Sequence, residues 1–146
     1  MKFQHGQSIV EFAVILPLFL LLVIGIVHTG VAFSDYLMVN HTVRSIAHEA
    51  SLAGSDSDFP KILANNTKNA ALTSDIYIWE PDRTTGNNNQ YLAIHYDTER
   101  QEVVVIATAV YNTDGSYIAR LLNSLAGDNK TGDFRVEYAM YSPRSN

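Results

Sequence analysis

Residues 12–27 read FAVILPLFLLLVIGIV, and this run decides how the chain folds because it contains no polar side chain. His28 and Thr29 interrupt it, after which apolar residues continue to Phe33. At about 1.5 Å per helical residue, residues 12–33 extend about 33 Å, enough to cross a hydrocarbon core of about 30 Å. A soluble domain of this size rarely buries a helix that is apolar on every face. We therefore predict a membrane-spanning helix rather than a buried core helix.

The fixed charges on either side of this span predict its orientation. Lys2 and the amino terminus precede the span, and Asp35 is the first charge after it. Because positive charge is retained on the cytoplasmic side, the N-terminus is expected in the cytoplasm and residues 34–146 outside. A secretory signal cleaved near Ala32 is the alternative. Against it, the apolar run is longer than a usual signal core, and Glu11 precedes it where basic residues are expected.

The helical pattern continues beyond the apolar run. Apolar residues recur at steps of three and four, typical of one stripe of an amphipathic helix, at Tyr36, Val39, Val43, Ile46, Ala50 and Ala53. The polar residues expected largely off this stripe are Asp35, His41, Arg44, Ser45 and His48. Gly54 and the polar residues after it predict the end of the helix, so residues 8–53 form one candidate helix. Pro17, Gly25 and Gly30 would bend or loosen it.

The remaining residues, 55–146, predict a head of the α+β class. Asp58 and Pro60 begin a short helix, and a further helix is predicted at residues 117–125. Alternating or continuous apolar residues predict four strands, at residues 75–80, 91–96, 102–111 and 134–141. The sheet is expected to be mostly antiparallel and to lie against the outer half of the long helix, whose apolar stripe covers it.

Composition and motifs exclude several kinds of site. The 146 residues carry a net charge of −5 and no cysteine, which argues against nucleic-acid binding and excludes disulfides and thiolate metal sites. The sequence contains no phosphate-binding loop and none of the common hydrolase or EF-hand motifs. His41 and His48 share a helix face, but a metal site needs three or four ligands. We therefore predict a protein that is not an enzyme and that has no cofactor or metal.

The residues just before the span, GQSIVEF at 6–12, carry the most specific motif. Gly6 precedes the helix and would let a protease bind extended backbone closely. Glu11 lies at the edge of the span, where a carboxylate needs a partner. The motif resembles the processing site of type IV pilin-like proteins, which a membrane aspartyl peptidase, the prepilin peptidase, cuts after the glycine. The resemblance implies a leader of residues 1–6 and Gln7 as the new N-terminus. Glu11 then becomes the fifth residue.

The wider segment GQSIVEFAVILPLFLLLVIGIVHTG, residues 6–30, narrows the resemblance. It looks like the TadE-like pseudopilins of tight-adherence (Tad/Flp) systems, on the strength of Glu11-Phe12-Ala13, Leu16-Pro17, the Gly25/Gly30 pair and the following helix with Arg44, Ala47 and Ala50. The tail matches more loosely, through residues 103–111, the Leu-rich stretch at 122–127 and a closing strand. The resemblance covers most of the chain.

The resemblance implies a membrane-anchored pseudopilin, or minor pilin, that takes part in assembly or priming of a Tad/Flp pilus used in surface adherence. It places the protein in the bacterial inner membrane as a single-pass protein. The implied partners are the prepilin peptidase, other pilin subunits through the apolar helix, an inner-membrane platform and an assembly ATPase, with membrane lipid around the span. Because major Flp pilins lack a head of this size, a minor or priming subunit is favoured.

The predicted organisation is a leader at residues 1–6, a membrane helix at 7–33, its amphipathic continuation at 34–54 and the head at 55–146. The residues expected to matter are Gly6 and Gln7 for processing, Glu11 and Phe12 for subunit pairing, and Phe12, Pro17, Gly25 and Phe33 in the span. Three alternatives stay open. They are an anchored extracytoplasmic binding protein that is not processed, a periplasmic protein released after Ala32, and a main filament subunit.

Overall fold

The computed structural model describes residues 4–68, 70–81, 91–112, 114–115, 120, 124 and 132–143. Its first element, α1, is a single helix of 49 residues, Gln4–Leu52, that continues through Pro17. Proline removes one backbone donor, but the leucines and other good helix formers around it sustain the helix. The predicted long helix is confirmed, although it begins at Gln4 rather than Ser8.

The second half of α1 is the part that carries the head. Its buried residues follow the predicted amphipathic stripe and are Val39, Val43, Ile46, Ala47 and Ala50, all with no exposed surface. His41, Arg44, Ser45 and His48 are exposed, as their position off the stripe predicts. Asp35 is different, because it is fully buried although the sequence pattern places it off the stripe.

A short helical segment follows the turn after α1. A 3₁₀ turn at Asp56–Asp58 leads into helix α2, Phe59–Thr67, with Pro60 in its first turn, where its missing N–H costs nothing. The Ser55 hydroxyl caps the turn by accepting a hydrogen bond from Ser57 N at 3.2 Å. Phe59 and Ile62 are buried against the head. The short helix predicted to begin at Asp58 and Pro60 is therefore confirmed.

Four strands form one antiparallel sheet in which the third strand is central. The strands are β1 at Tyr77–Ile78, β2 at Leu92–Asp97, β3 at Glu102–Tyr111 and β4 at Phe134–Tyr141. β2 and β4 each pair with β3 along most of its length, and β1 pairs only with its last two residues. The N–H groups of Thr108 and Asn112 point to the same side of β3, where they donate to Tyr91 O and Ile76 O. β1 therefore continues the β2 side of β3, and β4 lies on the other side.

The core lies between this sheet and the second half of α1. Alternate residues of β3 face the helix and are buried, namely Val103, Val105, Ala107 and Ala109. Leu92 and Val136 face the helix from the neighbouring strands, and Ile94, Tyr96, Phe134, Tyr138 and Met140 pack at the edges. The chain is α+β, as predicted, and the helix stripe provides the cover for one face of the sheet.

Two predicted elements differ from the structure or lie outside it. The strand expected at residues 75–80 is reduced to Tyr77–Ile78. On one side β3 ends at Tyr111, and on the other the same edge of β3 is occupied by Tyr91, which accepts a hydrogen bond from Thr108 N at 3.0 Å. The helix predicted at residues 117–125 lies outside the described residues except for Arg120 and Ser124, which are helical.

Candidate functional site

The first half of α1 is exposed from residue 9 to residue 27 in the part of the chain that the structure describes. Ile9–Leu52 is the one helix among the described residues that is long and apolar enough to cross a membrane, and its most apolar window has no buried residue. Large side chains such as Leu18, at 71% exposure, point outward all around this half. Exposing so large an apolar surface to water is unfavourable, so lipid or other apolar helices are favoured as the surroundings of this half.

The residues predicted for processing and pairing lie in a row along this exposed half. Gly6 and Gln7 are in the first turns of α1, Glu11 and Phe12 are exposed one turn later, and Pro17 follows within the helix. The structure does not bring them together into a pocket. They are instead spread along the first turns of one helix.

Gly25 and Phe33, the other two predicted residues of the span, lie further along the same half. No atom outside the local helix backbone lies within 4 Å of a side chain built at Gly25. The carbonyl of Gly25 accepts a hydrogen bond from the Thr29 hydroxyl at 2.9 Å. This bond satisfies the hydroxyl within the helix itself, so Thr29 is compatible with an apolar environment.

Asp35 joins the helix to the head at the point where the apolar half ends. Its Oδ1 accepts a hydrogen bond from Thr73 N at 2.8 Å, and its Oδ2 accepts a short one from the Ser74 hydroxyl. Ser74 in turn accepts from Ile76 N at 3.1 Å, which leads directly into β1. A buried carboxylate is stable only when it is hydrogen-bonded in this way.

Sequence reasoning missed this role, although a signal for it exists. Asp35 lies four residues before Val39, so it continues the buried stripe that runs through Val43 and Ile46. Tyr36, which the pattern placed at the start of the stripe, is instead 37% exposed. A carboxylate at a stripe position indicates a buried polar contact, here with Thr73 and Ser74.

Aromatic rings form a continuous cluster beside Asp35. We call this end of the head its base, comprising residues 73–77, the end of β3 at Tyr111 and the start of β4 at Asp133–Phe134. The ring centroids are 6.2 Å apart for Phe33 and Tyr36, 5.4 Å for Tyr36 and Phe134, 4.8 Å for Phe134 and Tyr77, and 6.0 Å for Tyr77 and Tyr111. The last three pairs meet edge to face, an arrangement that stabilises aromatic contacts.

The environment of Tyr77 disfavours ionisation of its hydroxyl. Burial raises the pKa of Tyr77 above its ordinary value of 10.0, and the neighbouring Tyr111, Asp35 and Asp133 raise it further. Asp133 also accepts a hydrogen bond from Tyr111 N at 2.8 Å, which extends the β4 side of the ladder by one side-chain contact. The base of the head is therefore aromatic, with acidic groups at its rim.

The opposite end of the head, which we call its top, is fastened to α1 as well. The Ser142 hydroxyl donates to Ser51 O at 2.7 Å, and Ser142 N donates to Gln101 O at 2.8 Å. The Tyr96 hydroxyl donates to Ser142 O at 3.0 Å. From Asp35 to Ser51, α1 rises about 24 Å. The head is therefore attached to the helix by polar contacts at its base, through Thr73 and Ser74, and at its top, through Ser142.

The histidines considered for metal binding lie on the exposed side of α1. His41 and His48 line an open groove of the surface with Arg44, Ser45 and Met140. Within the residues that the structure describes, no group of three or more His, Cys, Asp or Glu side chains could hold a metal ion. The positive charge of Arg44 beside the two imidazoles disfavours a cation in this groove.

Comparison with known proteins gives one match. Residues 6–48 match the family model described as TadE-like protein. Neither the curated proteins nor the solved structures contain a match to the chain. The family match suggests a pilin-like protein associated with the Tad pilus. The resemblance expected from the N-terminal motif is confirmed over residues 6–48, and the tail residues expected to match more loosely lie outside the matched range.

Proposed function

We propose that this protein is a membrane-anchored, TadE-like minor pilin that takes part in assembling or priming a Tad pilus. One observation carries the proposal. The TadE-like match ends at residue 48, within the part of α1 that the head covers, and its earlier residues form a fully exposed apolar helix. A helix of this kind suits storage in a bilayer followed by packing against other apolar helices.

In this proposal the leader, residues 1–6, is removed by the prepilin peptidase. Cleavage after Gly6 leaves the α-amine of Gln7 one helical turn before Glu11. The carboxylate of Glu11 would cost about 2.5–3.5 kcal/mol at the centre of a bilayer, and less at its edge. Pairing with the α-amine of an adjoining subunit removes that cost and fixes the axial offset between the two helices.

Phe12 and the residues that follow would pack laterally in the assembled pilus. Extraction from the membrane gives up the lipid contacts of residues 12–33, so other apolar helices must replace them. An inner-membrane platform and an ATPase would supply the work of extraction. The head stays on the extracytoplasmic side throughout, with the N-terminus in the cytoplasm before cleavage.

The first test measures processing. The intact mass and N-terminal sequence of the membrane-bound protein are compared between cells with and without the prepilin peptidase. We expect the chain to start at Gln7 only when the peptidase is present. A start at Met1 in both strains would identify an anchored protein outside the pilin pathway, and a start at Phe33 would identify a secreted head.

The second test addresses Glu11. We expect Glu11→Gln to be processed normally but to lower incorporation into sheared pili by about tenfold, the effect of losing about 1.4 kcal/mol of pairing. Glu49→Gln is the matched control, since Glu49 is an exposed carboxylate on the same helix that accepts from Asn66 Nδ2 at 2.6 Å. Equal incorporation of both variants would contradict the pairing role.

A further inference from the structure

The aromatic cluster at the base of the head lies at a definite height along α1. If the apolar run crosses the hydrocarbon and ends at Phe33, Asp35 and Tyr36 lie about 3 and 4.5 Å beyond it. The headgroup layer on each side of a bilayer is about 5–7 Å thick. Because Thr73 N is 2.8 Å from Asp35 Oδ1, the head's loop at Thr73 lies at the same height.

The chemistry of the base suits this layer. Tyrosine rings are enriched at the boundary between lipid and water, where an apolar ring and a polar hydroxyl are both satisfied. Tyr36 is 37% exposed, and Phe33 beside it is more exposed still. On the face of α1 that carries Asp35, Val31 and His28 are half-buried.

The exposed carboxylates at the base favour zwitterionic over anionic lipid headgroups. Asp75 and Asp133 are exposed at its rim, and residues 73–77 and 132–134 contain no lysine or arginine. Arg135, which follows Phe134, is paired with Glu137 at 3.3 Å. An anionic lipid surface would repel these carboxylates, whereas a zwitterionic headgroup presents a cation to them. The aromatic cluster also continues directly from the apolar helix through the contact of Phe33 with Tyr36.

We propose that the base of the head is a membrane-contact surface, with the rings of Phe33, Tyr36 and Phe134 seated in the zwitterionic headgroup layer of the bilayer that α1 crosses. The proposal rests on the membrane anchoring in the proposed function and adds a second contact to it. The base of the head then contacts the membrane directly, and no stretch of uncovered helix separates the two.

If the hydrocarbon ends earlier along α1, the base of the head no longer reaches the headgroup layer. If the hydrocarbon ended at Val27, with His28 and Thr29 among the headgroups, Tyr36 would lie about 13 Å further along the helix axis. This distance exceeds the thickness of the headgroup layer, and the base would be surrounded by water. The depth of the base therefore distinguishes the two placements.

The absence of cysteine makes single spin labels a clean measurement of depth. The full chain is reconstituted in phosphatidylcholine vesicles with a nitroxide on Val23→Cys in the span, Thr73→Cys at the base or Arg100→Cys at the top. The Thr73 side chain is exposed, and that of Arg100 is 76% exposed beside Gln101. Collision rates with oxygen and with a water-soluble nickel chelate report the depth of each label.

We expect the Val23 label, in the hydrocarbon, to collide mainly with oxygen, and the Arg100 label, in water, to collide mainly with the chelate. The Thr73 label should be at least twofold less accessible to the chelate than the Arg100 label. If the Val23 label lies in hydrocarbon but the Thr73 and Arg100 labels are equally accessible to the chelate, the membrane contact of the base is overturned and the membrane-spanning helix is not. If the chelate reaches the Val23 label, both are overturned.

A substitution tests the ring itself. In the Thr73-labelled protein, Tyr36→Leu keeps an apolar side chain but removes the hydroxyl and the ring, and we expect chelate access to rise about twofold. Leu37→Ala is the matched control on the same turn, since Leu37 is exposed but contributes no ring. The emission of Trp79, the single tryptophan, which is buried and donates to Tyr91 O, verifies that each variant is folded. Identical chelate access in both variants would overturn the role of Tyr36.

Discussion

Asp35 is a carboxylate at the point where α1 passes from its exposed apolar half into the head. Its two oxygens hold Thr73 N and the Ser74 hydroxyl, and it has no exposed surface. Ionised groups in such a position strengthen the hydrogen bonds that they accept, but they leave costly unpaired donors when they are removed. The residue therefore determines how firmly the first segment of the head is held to the helix.

We expect Asp35→Ala to lower the free energy of unfolding of the head by about 3 kcal/mol, because two donors lose a charged acceptor in a buried position. The measurement is denaturant unfolding in detergent micelles, followed by the emission of Trp79. The matched control is Glu49→Ala, on the same helix but exposed, for which a loss below about 1 kcal/mol is expected. Equal losses in the two variants would show that the Asp35 contacts contribute no more than a surface pair.

At the scale of the element, α1 consists of two halves with different surroundings. The first half is apolar on every face and exposed, and the second has one buried stripe beneath the sheet. The sequence predicts this division, because a continuous apolar run gives way after Phe33 to apolar residues that recur only every three or four positions. The stripe's first member could not be predicted correctly, because hydrophobic spacing identifies apolar contacts and gives no weight to a buried carboxylate.

The stripe residues should account for the stability of the head. Ile46 has no exposed surface and lies among the core residues, whereas Leu52 at the end of the same helix is 75% exposed. We expect Ile46→Ala to lower the free energy of unfolding by about 2–5 kcal/mol, through lost burial and the cavity that it leaves. Leu52→Ala should change it by less than about 0.5 kcal/mol.

Unfolding of these two variants in micelles, again monitored by Trp79, checks this expectation. A small loss for Ile46→Ala would mean that the sheet is stable without the helix stripe. In that case the contact between α1 and the head would be a loose association, and the long helix would serve only as an anchor.

At the scale of the whole molecule, the exposed half of α1 and the head should unfold separately. Residues 9–33 make their backbone hydrogen bonds within the helix, and an apolar surrounding penalises breaking them. We expect heating in micelles to abolish the near-ultraviolet signal of the head while about half of the helical signal of α1 remains, a departure from two-state unfolding.

Circular dichroism in the far and near ultraviolet checks this on one sample. Coincident loss of both signals would contradict the separation and imply that the head supports the apolar helix. The matched comparison is the Ile46→Ala variant, in which only the transition of the head should move to lower temperature.

Most of the architecture can be predicted from residue order, and the part that cannot has a physical reason. The long helix, α2, strands β2 to β4 and the covering stripe follow from periodicity and turn residues. The length of β1 depends on where β3 ends at Tyr111 and on how far Tyr91 already occupies the same edge, which are properties of the assembled sheet. The roles of Gly6, Gln7 and Glu11 stay predictions, since they involve a peptidase and a second subunit.

The polar contacts of the head at Asp35 and Ser51 also have a mechanical consequence. They lie about 24 Å apart along α1, so a force along the helix axis acts in shear and loads both contacts at once. A force across the axis would instead peel the head away one contact at a time. The contacts between α1 and the head therefore resist an axial force on the helix better than a sideways one. If α1 is extracted lengthwise from the membrane, the head should move with it as one unit.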